Sequence, residues 1–158
     1  MIAIGMRLSK NMNNQEIKKL LQAIAAAYEI KDEKKNRYRI MAYDRAATAI
    51  DHLSSEVKDL WEDNKLTSVP GIGPSIAQHL AELFETGSVK HFKEILNGLP
   101  PAMFKLLDIK GIGPKTSFKL CQELGITQAD QAMQKVKQAA QEEKIRQIEG
   151  FGEESEQN

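Results

Sequence analysis

The sequence predicts an all-α protein built from small helical bundle units. Three observations carry that expectation. Apolar residues recur at helical spacing through most of the chain, and no segment alternates as a half-buried strand would. Glycines and prolines punctuate the helical segments where stops and starts are needed. A glycine hairpin recurs at a period of about forty residues, at Gly71-Ile72-Gly73, at Gly111-Ile112-Gly113 and, cut short, at Gly150-Phe151-Gly152.

The elements follow in order. Residues 1–12 are expected to be a disordered extension, since Met12 precedes a strong helix start. The first helix begins near Asn13 or Asn14, either of which can cap it, and carries Ile17, Leu20, Leu21, Ile24 and Tyr28 on one face. A charged stretch from Lys31 to Asn36 ends it. The second helix presents Ile40, Tyr43, Ala47 and Ile50 on one face and exposes Arg37, Arg39 and Arg45. Ser54 or Ser55 is expected to cap a short third helix bearing Val57, Leu60 and Trp61. The first hairpin leads into a helix with Ile76, Ala77, Leu80 and Phe84, stopped by Gly87. Ser88 should cap the next helix, which bears Phe92, Ile95 and Leu96 and ends at Gly98. Pro100-Pro101 starts another with Phe104 and Leu107. The second hairpin leads into a helix through Leu124, stopped by Gly125. Thr127 with Asp130 should cap a last helix through Met133, Val136 and Ala140. The units expected are therefore residues 13–98, residues 99–144 and a truncated remainder, residues 145–158.

Composition bounds the function. Hydrophobic residues are 41% and charged residues 28%, enough to bury a core in a soluble domain. Lys plus Arg and Asp plus Glu are 22 each, so the formal net charge is zero. That excludes attraction of polyanions by overall charge and demands a localised site. Residues 1–50 hold ten basic and five acidic side chains, and residues 101–127 hold four and two. Any basic footprint belongs there. The one cysteine, Cys121, lies among Phe118, Leu120 and Leu124 and reads as a buried structural thiol. No apolar run approaches the ~20 residues of a membrane span, and Met1–Met6 is too short for a secretion signal, so a cytoplasmic protein is expected. His52, His79 and His91 sit on separate helical segments without cysteine partners, so no transition-metal site is expected.

The hairpins carry the chemistry. One Gly-x-Gly is as readily a packing turn as a ligand site. Here an apolar residue two before the first glycine, Ile between the glycines, Pro after the second and an amphipathic helix beyond all recur. Pro74 and Pro114 stand where a missing N–H costs nothing. The following amides point out of the helix start, which favours an anion. Gly71, Gly73, Gly111 and Gly113 leave no side chain between backbone and ligand. Ser75, Lys115 and Thr116 add donors. Such contacts position a nucleic-acid backbone without reading bases. This unit is the helix-hairpin-helix motif, present in two complete copies and a truncated third.

The segments Asn36-Arg37-Tyr38-Arg39-Ile40-Met41-Ala42-Tyr43-Asp44-Arg45-Ala46-Ala47, Val69-Pro70-Gly71-Ile72-Gly73-Pro74-Ser75-Ile76-Ala77, Glu85-Thr86-Gly87 and Ile109-Lys110-Gly111-Ile112-Gly113-Pro114-Lys115 together resemble the amino-terminal region of prokaryotic family X DNA polymerases, of the polymerase beta type. The resemblance implies a small domain that holds the downstream 5′-phosphate of a gap, followed by a hairpin subdomain on the primer side. It implies sequence-independent binding of gapped or nicked DNA in base excision repair. It also implies a monovalent cation, K⁺ or Na⁺, at each hairpin, held by the carbonyls of Thr67, Val69 and Ile72 and of Leu107, Ile109 and Ile112. Arg39 and Tyr43 fall at the family's 5′-phosphate positions. The bland alternative for Arg39 is a solvated surface charge, and Tyr43 reads as half core and half ligand. A monomer at the nucleoid is the implied state.

Two departures bear on catalysis. The lyase activity of eukaryotic members needs an imine-forming lysine, and His79 stands at the matching position, with Ser75 at that of a supporting lysine. Polymerisation needs paired carboxylates holding Mg²⁺, and no Asp-x-Asp pair occurs here. No catalytic residue is therefore assigned, and the chain is expected to be a fragment or a truncated DNA-binding derivative that incorporates no nucleotides. Mg²⁺ would belong only to the absent catalytic domain. The alternatives are a stand-alone hairpin protein for branched or damaged DNA and a helical protein-interaction module.

Overall fold

The computed structural model describes residues 8–145, and the third hairpin lies outside them, as does most of the proposed extension. Among the described residues all regular structure is helical, arranged in two compact units that divide between Asn97 and Gly98.

The first unit, residues 8–97, contains α1 (Asn14–Asp32), α2 (Arg37–Asp51), α3 (Val57–Glu62), α4 (Pro74–Thr86) and α5 (Lys90–Leu96). Asn13 caps α1 in a reciprocal box: its side chain accepts from the Glu16 amide at 2.9 Å, and the Glu16 carboxylate accepts from the Asn13 amide at 3.0 Å. Ile17, Leu20, Leu21 and Ile24 are fully buried, as their spacing predicts. Leu8 and Met12 are buried too, so the ordered chain reaches back before the first helix. Along α2 the buried residues are Tyr43, Ala46, Ala47 and Ile50, while Ile40 is only half-buried. Two expected caps are supplied differently. Neither Ser54 nor Ser55 caps α3; the Val57 amide donates to Asn14 Oδ1 at 2.8 Å, and Asn14 Nδ2 donates to the Ser55 carbonyl at 2.8 Å. Ser88 does not cap α5 either, since the Lys90 amide donates to Glu82 Oε2 at 2.7 Å. In both places a side chain distant in sequence reaches an amide that the local residue leaves unpaired.

The second unit, residues 98–145, contains α6 (Pro101–Leu106), α7 (Pro114–Leu124) and α8 (Ala129–Gln141), with α6 packed on both others. Its registers differ from expectation. On α6, Ala102, Met103 and Leu106 are buried, and Phe104 and Leu107 are half-buried. On α8 the buried stripe is Ala132, Val136 and Ala139, and Met133 is 41% exposed. Small alanines let α8 approach closely where a methionine stripe would hold it off. Thr127 does not cap α8; its carbonyl accepts from the Ala102 amide at 3.1 Å and ties the two helices.

Cys121 is buried on α7, and burial pushes its thiol up to about 11. A thiolate is the reactive form, so Cys121 should resist alkylation at pH 8 in the folded protein and react within minutes in denaturant. Rapid modification under native conditions, followed by mass spectrometry, would show that α7 is loosely packed.

Candidate functional site

The two hairpins repeat each other in backbone detail. Leu66–Ser68 forms a 3-10 turn, from which the Val69 amide donates to the Leu66 carbonyl at 3.2 Å and the Ile72 amide to the Val69 carbonyl at 3.1 Å. Forty residues on, Ile109 donates to the Leu106 carbonyl and Ile112 to the Ile109 carbonyl, each at 3.1 Å. Gly71 has φ +102° and Gly111 φ +88°, a region that favours glycine. Gly73 (φ −84°, ψ 173°) and Gly113 (φ −95°, ψ 179°) are the N-caps of α4 and α7, with Pro74 and Pro114 in the first turn. Neither cap supplies a side-chain acceptor to the helix start, where the first amides lack intrahelical partners. Both helices end at a left-handed glycine, Gly87 and Gly125.

The first hairpin borders a shallow depression of about 320 Å³ lined by Ala42, Arg45, Gly71, Ile72, Gly73, Pro74, Ser75 and Ile76. Ile72 and Ile76 are buried and pin the hairpin, and Ser75 is exposed at the helix start. Arg45 therefore belongs with the hairpin, although the sequence marked it only as part of a basic helix face. Among the described residues it forms no ion pair. Thr67 is exposed and Val69 half-buried; Leu107, Ile109 and Ile112 are half-buried, Lys115 is exposed and Thr116 half-buried.

Arg39 and Tyr43 belong to a different place, a cluster of aromatic and basic side chains contributed by α1, α2, α4 and α5. Arg39 donates to Asn36 Oδ1 at 3.0 Å, and its guanidinium lies 5.8 Å from the Tyr28 ring centroid. Tyr28 and Tyr43 pack at 5.7 Å, and Tyr43 meets Phe92 edge-on at 6.0 Å. Tyr43 is 5% exposed, which makes it chiefly a core residue beneath this cluster. Burial and then neighbouring Tyr28 raise its phenol pKa, so it stays protonated. Beside it His79 and His91 stack face to face, centroids 4.9 Å apart and planes within 5°. Tyr28 shares a hydrogen bond with His91 Nε2. Sequence reasoning kept these histidines apart because they stand on separate segments. Their positions on either side of the Gly87 turn were the available signal. Arg37 is exposed on the first turn of α2 beside Tyr38, which is 81% exposed.

Among the described residues, a helical scaffold carrying two glycine hairpins with matching turn bonds and glycine conformations, each opening a helix start without a side-chain cap, defines a helix-hairpin-helix protein. A family model described as a helix-hairpin-helix domain matches residues 12–89, and one described as a SAM-like helix-hairpin-helix tandem matches residues 104–158. The chain is also similar to the DNA polymerase/3′-5′ exonuclease PolX of Bacillus subtilis (strain 168), 29% identical over 92% of this chain and 24% of that protein. It is similar to DNA polymerase lambda of Rattus norvegicus, 29% identical over 66% of this chain and 17% of that protein. The chain is thus built from helix-hairpin-helix domains and, over most of its length, is similar to family X DNA polymerases. It spans about a quarter or less of the length of these relatives.

Proposed function

We propose that the chain grips the sugar-phosphate backbone of gapped or nicked DNA without reading base sequence, as the DNA-holding part of a family X repair polymerase. The observation that carries this reading is the repetition, forty residues apart, of the same hairpin hydrogen bonds and glycine conformations at two helix starts. Packing alone does not require the second copy to reproduce the first down to each turn. Arg45 and Ser75 in the first copy, and Lys115 and Thr116 in the second, supply donors around the glycines. Arg39, above Tyr28, takes the 5′-phosphate, its fork of donors suiting a phosphate better than a point charge does.

The carbonyls of Thr67, Val69 and Ile72, and of Leu107, Ile109 and Ile112, would hold a K⁺ or Na⁺ ion. The donor set fits: all oxygens suit a hard cation, and the Val69 and Ile109 carbonyls, with one turn bond each, keep a second lone pair. The ion would supply positive charge between carbonyls and a DNA phosphate. As part of the same reading the chain acts as a monomer in the cytoplasm, at the nucleoid. No helix among the described residues is long and apolar enough to cross a membrane.

Fluorescence anisotropy with a labelled gapped duplex tests the reading. With three phosphate contacts, log affinity should fall with log salt at a slope of about −3, a loss of about fiftyfold between 50 and 200 mM salt. Shuffling the base sequence should change affinity less than about twofold. A flat salt response, or no binding at low salt, contradicts it.

A further inference from the structure

We propose that His79 and His91 form a proton-coupled clamp for a terminal phosphate: the stacked pair takes up a proton when a 5′-phosphate monoester binds. This rests on the reading of Arg39 as the 5′-phosphate ligand and adds to it the source of the second positive charge. Parallel rings 4.9 Å apart favour at most one imidazolium, because two stacked cations repel. Both rings are half-buried. Tyr28, from α1, keeps its proton because burial raises its pKa. Its hydroxyl can donate to neutral His91 or accept from the protonated ring, so either state is satisfied.

The other groups facing the pair set its balance. Arg39 and Tyr43 approach from α2, through the Tyr28 ring. Glu82 lies one turn beyond His79 on α4, its carboxylate held at the start of α5 by the Lys90 amide. Burial, then His91, lower the His79 pKa, and Glu82 opposes them weakly. His79 is therefore neutral at pH 7 in the free protein. A phosphate monoester, with a second pKa of about 6, is mostly dianionic there. Its charge raises the pKa of an adjacent imidazole in the complex. A group whose pKa rises on binding strengthens that binding as pH falls through the complexed pKa, and the gain levels off below the free one.

The test compares two gapped duplexes that differ only in the downstream 5′ end, phosphate or hydroxyl, across pH 8 to 6.5. The ratio of affinities cancels every contact that the two DNAs share. It should rise about tenfold as pH falls. His79→Gln and His91→Gln should lower and flatten the ratio, while His52→Gln leaves its pH dependence intact. His79→Lys should raise the ratio at pH 8 and remove its slope. Calorimetry of the unsubstituted protein at pH 7, in two buffers of different ionisation enthalpy, should show net proton uptake with the phosphorylated DNA alone. A ratio above one that does not change with pH, or equal proton uptake for both DNAs, overturns the clamp and leaves the 5′-phosphate reading standing. A ratio of one at every pH overturns both.

Discussion

Gly71→Ala should destabilise the first unit by about 2–4 kcal/mol, whereas Gly111→Ala in the matching position of the second should cost only about 1–2 kcal/mol. The hairpins look alike in sequence and backbone, but their surroundings differ. A methyl group on Gly71 would stand 3.0 Å from Ala49 Cβ and 3.3 Å from the Arg45 carbonyl, because α2 packs directly on the turn. On Gly111 it would meet nothing within 4 Å. Both positions carry positive φ, +102° and +88°, so both variants bear conformational strain. Only Gly71 adds a clash with backbone and a rigid Cβ, which relief of a flexible side chain cannot remove. Urea unfolding followed by circular dichroism measures the difference. Equal losses at the two positions would show that the approach of α2 to Gly71 contributes nothing.

That asymmetry marks what the sequence can and cannot say. Gly-x-Gly followed by proline dictates its own backbone through local sterics, so the hairpins, the helix starts at Pro74 and Pro114 and the stops at Gly87 and Gly125 were legible. The core face of α1 was legible because its apolar stripe is long enough to define a phase. Short helices define none: α6 has six residues and its face was misread. The caps of α3 and α5 were misread because Asn14 and Glu82 are supplied by tertiary contact, and any nearby serine is a plausible local candidate. The same holds for the site. Arg39 and Tyr43 were found from a resemblance. The placement of Arg45 beside Gly71, and of His91 against His79, depends on how helices pack, which no local pattern encodes.

Arg45→Glu should weaken binding to gapped DNA by about 30- to 100-fold at 50 mM salt, the largest effect of any single charge reversal on the first unit. Arg45 lines the depression beside Gly71, Gly73 and Ser75, so its charge adds to the positive end of α4 at one phosphate. Reversal removes one favourable contact and places a carboxylate where the phosphate must sit. Arg39→Glu and Lys115→Glu should each weaken binding less, by about tenfold. Arg39 is already engaged with Asn36 and the Tyr28 ring, and Lys115 serves a hairpin with more open surroundings. Each variant should also make the salt slope shallower by about 0.9, the signature of one lost phosphate contact. Stability should be nearly unchanged in Arg45→Glu, since the guanidinium has no ion pair among the described residues to lose. Titration of each variant at four salt concentrations, beside its urea midpoint, separates the possibilities. If Arg45→Glu binds as tightly as the unaltered protein with the same slope, the first hairpin is a packing turn and the phosphate lies elsewhere.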